Sequence, residues 1–354
     1  MATRNEAREA TLAALEDRIV RSVEELVSGD DWRRAIEFAA RFRTRSFNNT
    51  LLIFAQHLDA YEQGRVPTPT PTWVAGYNDW RKMGRWPEKG GGYQIRGPVK
   101  AREASATPGD PMSWRRLRQK EKPRPGEVVR RRMVNVVPAW VWDVSRTHGA
   151  PLPELPAPKL LEGGEPAGLR QGLLGQIEDL GFESIGVADK SVIGGANGLT
   201  DFNAHQMFYR LDMPPAAQLK TIGHERGHIG MHGPDQQEAR QHRGIGEVEA
   251  ESVALMVLAA HGVDTSDYTI PYVAGWASSV DGKDPVQVVR ATGERVCQAA
   301  KDILDGLDTI QLGNGQPLSL RAYSPEREAP EPAHVEPLPE RAPSAGRVVA
   351  ERGL

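Results

Sequence analysis

The chain has 354 residues, a net charge of −3 and a hydrophobic fraction of 39%. This length favours two compact domains over one, and no stretch approaches the eighteen uninterrupted apolar residues typical of a membrane span. The first nine residues lack the apolar segment of a secretory signal, and the single cysteine, Cys297, excludes an internal disulfide. These features predict a cytoplasmic protein with no membrane partner.

Apolar residues at helical spacing predict three helices near the N-terminus. Their approximate ranges are 12–26, 32–42 and 46–58. A Pro-rich connector at 67–71 leads to a short helix through Trp80 and to two strands. We place these strands near 93–95 and over 133–144. The pattern predicts an α+β domain over about residues 1–150.

Basic residues are concentrated in the middle of this first domain. Between Arg96 and Asn135 there are twelve Lys or Arg residues and four Asp or Glu residues. The polar, Pro-containing segment 103–126 has the composition of a basic loop or insertion. A local excess of eight positive charges in an acidic chain suggests a polyanionic partner for the first domain.

The second half has a different composition. Residues 151–165 have the Pro-rich composition of a linker, and residues 309–354 that of a disordered Pro-, Glu- and Ala-rich tail. Between them, periodicity predicts a mainly helical domain with a small sheet over 166–308. Its predicted elements are helices at 169–180, from Pro215 through the histidine motif, at 246–260 and at 286–307, and a strand at 206–211.

Two histidines in the helix that is predicted to begin at Pro215 indicate a metal site. His224 and His228 are four residues apart, so a helix places both imidazoles on the same face, as two ligands of one metal require. Glu225 lies beside that face, where its carboxylate can accept a proton from water without binding the metal. This pattern predicts a zinc-dependent hydrolase in which Glu225 is the general base.

A third ligand is expected on the next helix. Glu247 and Glu251 share a helix face, so Glu247 can bind the metal while Glu251 accepts the outer N–H of a liganding histidine. Glu249 is the rival third ligand, and His232 is a candidate fourth ligand. The metzincin pattern needs a histidine where this chain has Pro234, so that class is excluded. The spacing resembles that of gluzincins, in which HExxH is followed on the next helix by E-x-x-A-D/E.

Taken together, these segments resemble the ArdC-like antirestriction family. The N-terminal resemblance rests on four stretches in order, Ser46–Ile53, Pro71–Tyr77, Trp80–Gly84 and Val141–Thr147. The C-terminal resemblance rests on the His224 motif and the Glu247 segment, and the whole covers about residues 30–308. It implies a single-stranded-DNA-binding domain joined to a zincin-type metallopeptidase domain, in a protein of mobile genetic elements. The chain departs from the family at Arg85–Gly90, which has fewer cations, and in its longer basic insertion.

Single-strand binding needs cations for phosphates and aromatic faces for bases. The first domain interleaves both kinds of residue, and Asn48 can contact nucleic acid or cap its helix. The predicted DNA-binding residues are Arg43, Arg45, Asn48, Trp73, Tyr77, Lys82, Arg85, Trp86 and Lys89. Core packing is an alternative role for Trp73, and a solvated loop is an alternative role for the basic segment.

Three functions are compatible with these patterns. The first is a single-stranded-DNA-binding antirestriction-type protein with a zinc metallopeptidase-like domain. The second is a zinc metalloprotease that cleaves a regulator protein, in which the first domain recognises protein rather than DNA. The third is a DNA-binding protein with structural zinc. Glu225 argues against the third function, because a structural site does not need that carboxylate.

Overall fold

The computed structural model describes residues 4–26, 28–149, 151–152, 165–233, 243–264, 273–278 and 282–313. Most of the predicted linker and tail lies outside these residues. All of the described residues belong to one compact unit. The fold is mixed α+β with small sheets, which confirms the coarse fold class. No helix in the described residues is long and apolar enough to cross a membrane.

Three helices open the chain. They are α1 (Arg4–Glu24), α2 (Gly29–Arg41) and α3 (Phe47–Glu62). The start of α2 is a capping box, in which Ser28 and Asp31 each bind the other's backbone N–H. At the start of α3, the Ser46 hydroxyl accepts the N–H of Asn49. The three predicted helices are therefore confirmed.

The first sheet is antiparallel and has the strand order β1-β5-β3-β4. A two-stranded sheet, β2-β6, lies apart from it in the hydrogen-bond pattern. The elements of this region are β1 (Val74–Gly76), α4 (Tyr77–Lys82), β2 (Arg85–Pro87), β3 (Tyr93–Ser105), β4 (Arg115–Arg116), β5 (Val128–Asp143) and β6 (Thr147–Gly149).

Strands β3 and β5 extend further than the sequence predicts. They stay paired from Tyr93↔Val141 to Ser105↔Val128, with an irregularity between Val99 and Lys100. The segment expected to be a basic loop from Glu103 therefore begins within a strand and contains β4. Period-2 apolar alternation is missing there because most of these β5 side chains face solvent.

In the described part of the second half, a three-stranded sheet and five helices follow. The strands are β7 (Glu183–Val187), β8 (Gly198–Asp201) and β9 (Gln206–Arg210), in the order β7-β9-β8. The helices are α5 (Leu169–Asp179), α6 (Pro215–Met231), α7 (Arg243–Ala260), α8 (Val273–Ala277) and α9 (Pro285–Asp305). Strand β8 pairs only with β9 among the described strands, so its other edge has no strand beside it.

One hydrophobic core joins the N-terminal helices to the second half of the chain. Trp32 of α2 is fully buried, and its indole N–H donates to Ser252 Oγ of α7 at 2.9 Å. Phe47 of α3 lies in the same core as Val296 of α9. Strands β1, β3 and β5 contribute to separate clusters around Val74 and Trp80. The division into domains near residue 150 stays a proposal, and α1–α3 pack with both halves.

Cys297 is buried and free, and burial raises the pKa of its thiol.

Candidate metal centre

Two helices carry the candidate ligands. Helix α6 holds His224, Glu225 and His228, and it begins at Pro215, whose missing N–H is no loss in a first turn. It packs against α7, which holds Glu247. The approach is close because α6 presents glycines to α7: a Cβ built on Gly227 would lie 3.1 Å from Ala250 Cα. Small residues at this crossing bring Glu247 to the histidines.

Three donor side chains converge at this crossing. The Nε2 atoms of His224 and His228 lie 3.0 Å apart. A carboxylate oxygen of Glu247 lies 3.4 Å from His224 Nε2, and the other lies 3.7 Å from His228 Nε2. One ligand atom from each of these three residues lies within 4.8 Å of the others. The group can therefore hold a metal ion.

The donors fit a divalent transition metal. Ligands at ~2.1 Å from a tetrahedral ion are separated by roughly 3.4 Å, and the three observed separations bracket that value. Two imidazole nitrogens and one carboxylate suit zinc or a similar first-row metal better than Mg²⁺ or Ca²⁺, which prefer oxygen. Among the residues that the structure describes, no fourth side chain joins the group.

Each histidine is oriented from its outer nitrogen. His224 Nδ1 lies 3.2 Å from a carboxylate oxygen of Glu251, whose other oxygen binds Lys220 Nζ at 2.6 Å. His228 Nδ1 lies 2.9 Å from His232 Nδ1, so one of the two rings donates to the other. Both Nε2 atoms therefore point to the candidate metal position. Hydrogen-bond partners of the outer ring nitrogen commonly orient a liganding histidine in this way.

His232 and Glu249 form a second pair beside the ligands. His232 Nε2 lies 2.9 Å from Glu249 Oε2, and Glu249 Oε1 accepts from Arg295 Nε at 2.6 Å. Both His232 and Glu249 side chains are buried, at 8% and 6% exposure. Glu249, the rival third ligand, is thus bound to His232 and Arg295, and His232 contacts His228 rather than joining the donor group.

The carboxylates shift the titration of the ligands. Burial lowers the pKa of His224, but hydrogen bonds with Glu247 and Glu251 outweigh it and raise that pKa to about 9. Hydrogen bonds from His224 and His228 hold the pKa of Glu247 well below its usual range. Two carboxylates beside the imidazoles thus favour positive charge at this group.

Glu225 faces a pocket beside the donors. It is buried, and its Oε2 accepts the Thr200 hydroxyl of β8 at 2.7 Å. Gly198 of β8 approaches closely, since a Cβ there would lie 2.6 Å from Glu225 Oε1. The pocket has a volume of about 520 Å³, and β8, the histidines and Glu247 line it. A carboxylate thus lies beside strand β8 and the candidate metal position.

Several of the predicted DNA-binding residues form hydrogen bonds within the fold. Arg45 donates to Val74 O at 2.8 Å, and burial lowers the pKa of this guanidinium to about 10. Arg43 donates to Leu312 O, and Arg85 donates to Thr147. Asn48 Oδ1 accepts from Arg290 Nε at 3.1 Å. Sequence could not show these partners, because most of them lie far along the chain.

Other predicted residues are on the surface. Tyr77 and Trp86 are 49% and 44% exposed, and Lys82 and Lys89 are exposed. Lys82 pairs with Asp79 at 2.9 Å. Trp73 is partly buried and packs with the cluster around Trp80, as its alternative role supposed.

Two further exposed residues in this part of the chain are not among the predicted ones. Trp140 of β5 is 51% exposed, and the Arg81 guanidinium lies 5.1 Å from the Trp86 ring centre. The sequence signal for Trp140 was its position in a strand two residues before Trp142, which places both rings on one face. Rings exposed beside cations are the features that stack on bases. We call the exposed residues Tyr77, Arg81, Lys82, Trp86, Lys89 and Trp140 the aromatic surface.

No family model matches the sequence, and no curated protein matches it. The structure is similar to two crystal structures of the antirestriction protein ArdC from plasmid R388. The metal-free form has a TM-score of 0.46 and 15% identity, over 83% of this chain and 96% of that chain. The Mn(II)-bound form has a TM-score of 0.44 and 13% identity, over 83% of this chain and 97% of that chain. Both solved structures are of the antirestriction family that the sequence motifs resemble.

Proposed function

We propose that this chain is a single-stranded-DNA-binding antirestriction-type protein with a zinc-dependent, zincin-like metallopeptidase domain. The observation that carries the proposal is the convergence of His224, His228 and Glu247 beside Glu225, in a pocket that strand β8 also lines. Zinc is proposed because three mixed nitrogen and oxygen ligands with an open position are typical of its catalytic sites.

The residues around the candidate metal position have separate roles in the proposed hydrolysis. A zinc ion bound there would polarise the substrate carbonyl and lower the pKa of a water. Glu225 accepts the proton of the attacking water and passes it to the leaving nitrogen. Thr200 donates to one oxygen of Glu225, whose side chain lines the pocket. Glu251 and His232 keep the Nε2 atoms of the two histidines pointing inward.

The substrate class follows from strand β8. Gly198, Leu199 and Thr200 of this strand line the pocket, and one edge of the strand has no partner among the described strands. An extended peptide can add to such an edge through main-chain hydrogen bonds. The proposed substrate is therefore an extended protein segment, whose scissile carbonyl lies over Glu225.

The hydrolytic part is tested with Glu225→Gln. This variant should keep the metal and the fold but lose cleavage of unfolded protein substrates by about 100-fold or more, since the general base is removed and the ligands are not. Glu178→Gln, an exposed carboxylate on α5, is the matched control and should cleave like the wild type. Undiminished cleavage by the Glu225 variant would exclude the mechanism.

The DNA-binding part is assigned to the aromatic surface. Stacking works on any base face, and duplex hides those faces, so single strands should bind more tightly than duplex at this surface. Trp86→Ala combined with Trp140→Ala should weaken single-strand binding by about 10-fold or more. A change of the partly buried Arg43 should instead act on binding through the stability of the fold. Binding should survive chelation, because neither tryptophan contacts the metal ligands. Equal single-strand affinity in the double variant would remove this assignment.

The alternative function is a protease that cleaves a regulator and recognises protein through its first domain. The same β8 edge and pocket support this reading. A wild-type protein that cleaves protein but binds no single strand at moderate salt would favour it. Antirestriction itself is tested by protection of incoming DNA in cells, with Glu225→Gln and the tryptophan double variant compared separately.

A further inference from the structure

Residues 97–137 form an extension that we call the basic arm. Its strands pair from Gly97↔Val137 to Ser105↔Val128, and β4 adds a short third strand beside β3. Residues Val128–Asn135 of β5 are exposed throughout. The arm is therefore a ribbon with solvent along one whole strand.

The arm is strongly positive in an acidic chain. It contains eleven Lys or Arg residues and four Asp or Glu residues, whereas the whole chain has a net charge of −3. Seven exposed cations of the arm form no ion pair with any residue that the structure describes. They are Lys100, Arg116, Arg118, Lys120, Lys122, Arg124 and Arg131. Such a concentration of unneutralised charge favours a polyanion.

The remaining cations of the arm are held in place. Glu103, buried within the ribbon, accepts from Arg130 Nε at 3.0 Å and from Arg132 Nε at 2.9 Å. The Arg130 guanidinium lies 3.9 Å from the ring centre of Trp114. Arg115 is bound by Glu127 and Glu121. These contacts stiffen the ribbon, so the free cations are presented on an ordered scaffold.

A second copy of the chain is a poor partner for the arm. The open edge of β5 carries Arg130, Arg131 and Arg132 in succession. Antiparallel pairing of two such edges around Arg131 would bring arginines opposite arginines, and like charges in that position are destabilising. Charge favours an anion at this edge instead.

The arm suits the backbone of a duplex better than a single strand. Trp114 is the only aromatic residue among residues 97–137, and Arg130 covers its ring. Phosphates need only cations, whereas unpaired bases need exposed rings to stack on. The exposed ring on the same strand is Trp140, nine residues from Arg131, which is roughly 30 Å along an extended chain.

The pairing register places the two features on one face. Trp140 pairs with Gln94, and Arg131 pairs with Arg102. Gln94 and Arg102 are an even number of residues apart in β3, so their partners point to the same side of the ribbon. A nucleic acid that follows this face passes from the aromatic surface to the basic arm.

We propose that the basic arm binds the phosphate backbone of duplex DNA while the aromatic surface binds an adjoining single strand, so the preferred ligand is a single-strand–duplex junction. The junction preference rests on the proposed single-strand binding of the aromatic surface. The duplex contact rests on the arm alone. Two linked contacts on one ligand raise its affinity above that of either part.

The test compares three oligonucleotides with the full chain: a single strand, a blunt duplex and a duplex with a single-stranded extension. The arm variant changes Arg116, Arg118 and Lys122 to Gln. The matched control changes three exposed cations outside the arm, Arg21, Lys190 and Lys283, to Gln. Affinities are measured over a salt series, and circular dichroism checks that both variants are folded.

The wild type should bind the junction about tenfold or more tightly than the single strand. The arm variant should lose that advantage but keep single-strand affinity, and its salt slope on the junction should flatten by roughly two to three. The control variant should behave like the wild type. Equal wild-type affinity for junction and single strand would overturn the proposal, as would an arm variant that weakens both ligands by the same factor.

Failure of the proposed function has a different signature. If the wild type binds no single strand, the aromatic surface is not a DNA site, and the junction preference is overturned with it. The blunt duplex then decides the duplex contact separately. Duplex binding that falls in the arm variant and not in the control supports that contact, and equal duplex binding by both variants overturns it.

Discussion

Glu247 and Glu249 differ by two residues but have different environments. Glu247 lies with the two histidine Nε2 atoms, whereas Glu249 binds His232 and Arg295 on the buried side. Helical periodicity anticipates this split, because residues two apart on a helix face in different directions. The sequence could not supply the partner of Glu249, since Arg295 lies 46 residues further along.

The His232–Glu249 pair is expected to tune the metal site. Glu249→Gln removes the charge that binds His232, so the ring that orients His228 is held less firmly. We predict that metal affinity falls by roughly 10-fold or more, the usual effect of losing a partner beyond the ligands. Competition with a chromophoric chelator measures it. Glu178→Gln is the control, and unchanged affinity in Glu249→Gln would assign the pair to packing alone.

Asp31 allows a pH-dependent prediction at the start of α2. Hydrogen bonds from the Ser28 backbone and hydroxyl lower its pKa from 3.8 to about 2. A lowered carboxyl pKa stabilises the fold above the unfolded-state pKa, and this contribution is lost as pH falls through the folded-state value. Asp31→Ala should cost about 1 kcal/mol at pH 7.

The difference between wild type and Asp31→Ala should remain full down to about pH 4 and shrink as the pH approaches 2. Urea unfolding across that range measures it. Asp30→Ala, whose carboxylate is largely exposed in the same first turn, is the control and should show a smaller difference. A gap that is constant with pH would show that the Asp31 carboxylate contributes nothing through its charge.

At the scale of elements, the crossing of α6 and α7 positions the site. Gly227 approaches the Ala250 backbone closely, whereas a Cβ on Gly230 would meet only the mobile end of Arg226. Helix propensity alone would make Ala more stable than Gly by about 1 kcal/mol at both positions. We predict that Gly227→Ala is nonetheless less stable than Gly230→Ala, by about 1–3 kcal/mol, because α7 must move.

Denaturant unfolding of the two glycine variants measures this difference. The same displacement carries Glu247 away from the histidines, so Gly227→Ala should also bind metal more weakly than Gly230→Ala. Equal stability and equal metal affinity in the two variants would contradict the claim that this crossing places the third ligand.

Elements with local signals were predictable, and those with distant partners were not. Helices α1, α2, α3, α5 and α6 were anticipated from apolar spacing and caps within each segment. The full length of β3 and β5 was not, because their outer halves are exposed and lack apolar alternation. Strand β8, which borders Glu225, is four residues long and follows a Gly-rich turn. The sequence therefore predicts the turn but not the strand.

At the scale of the molecule, the N-terminal helices pack in one core with α6 and α7, the helices of the candidate metal site. Trp32 and Ser252 are 220 residues apart and hydrogen-bonded. The linker composition near residue 151 suggested a boundary, but composition does not report which helices share a core. A truncation at residue 150 would expose the α2 face that packs on α7, so DNA binding is best measured on the full chain.

The central claim is a zinc ion held by His224, His228 and Glu247 with Glu225 beside it as the base. Anomalous diffraction at the zinc edge, from crystals grown with zinc, tests it most directly. The account predicts one strong peak about 2.1 Å from both histidine Nε2 atoms and from a Glu247 oxygen, with Glu225 outside bonding distance. A peak bound by His232 and Glu249, or by Glu225, would contradict it.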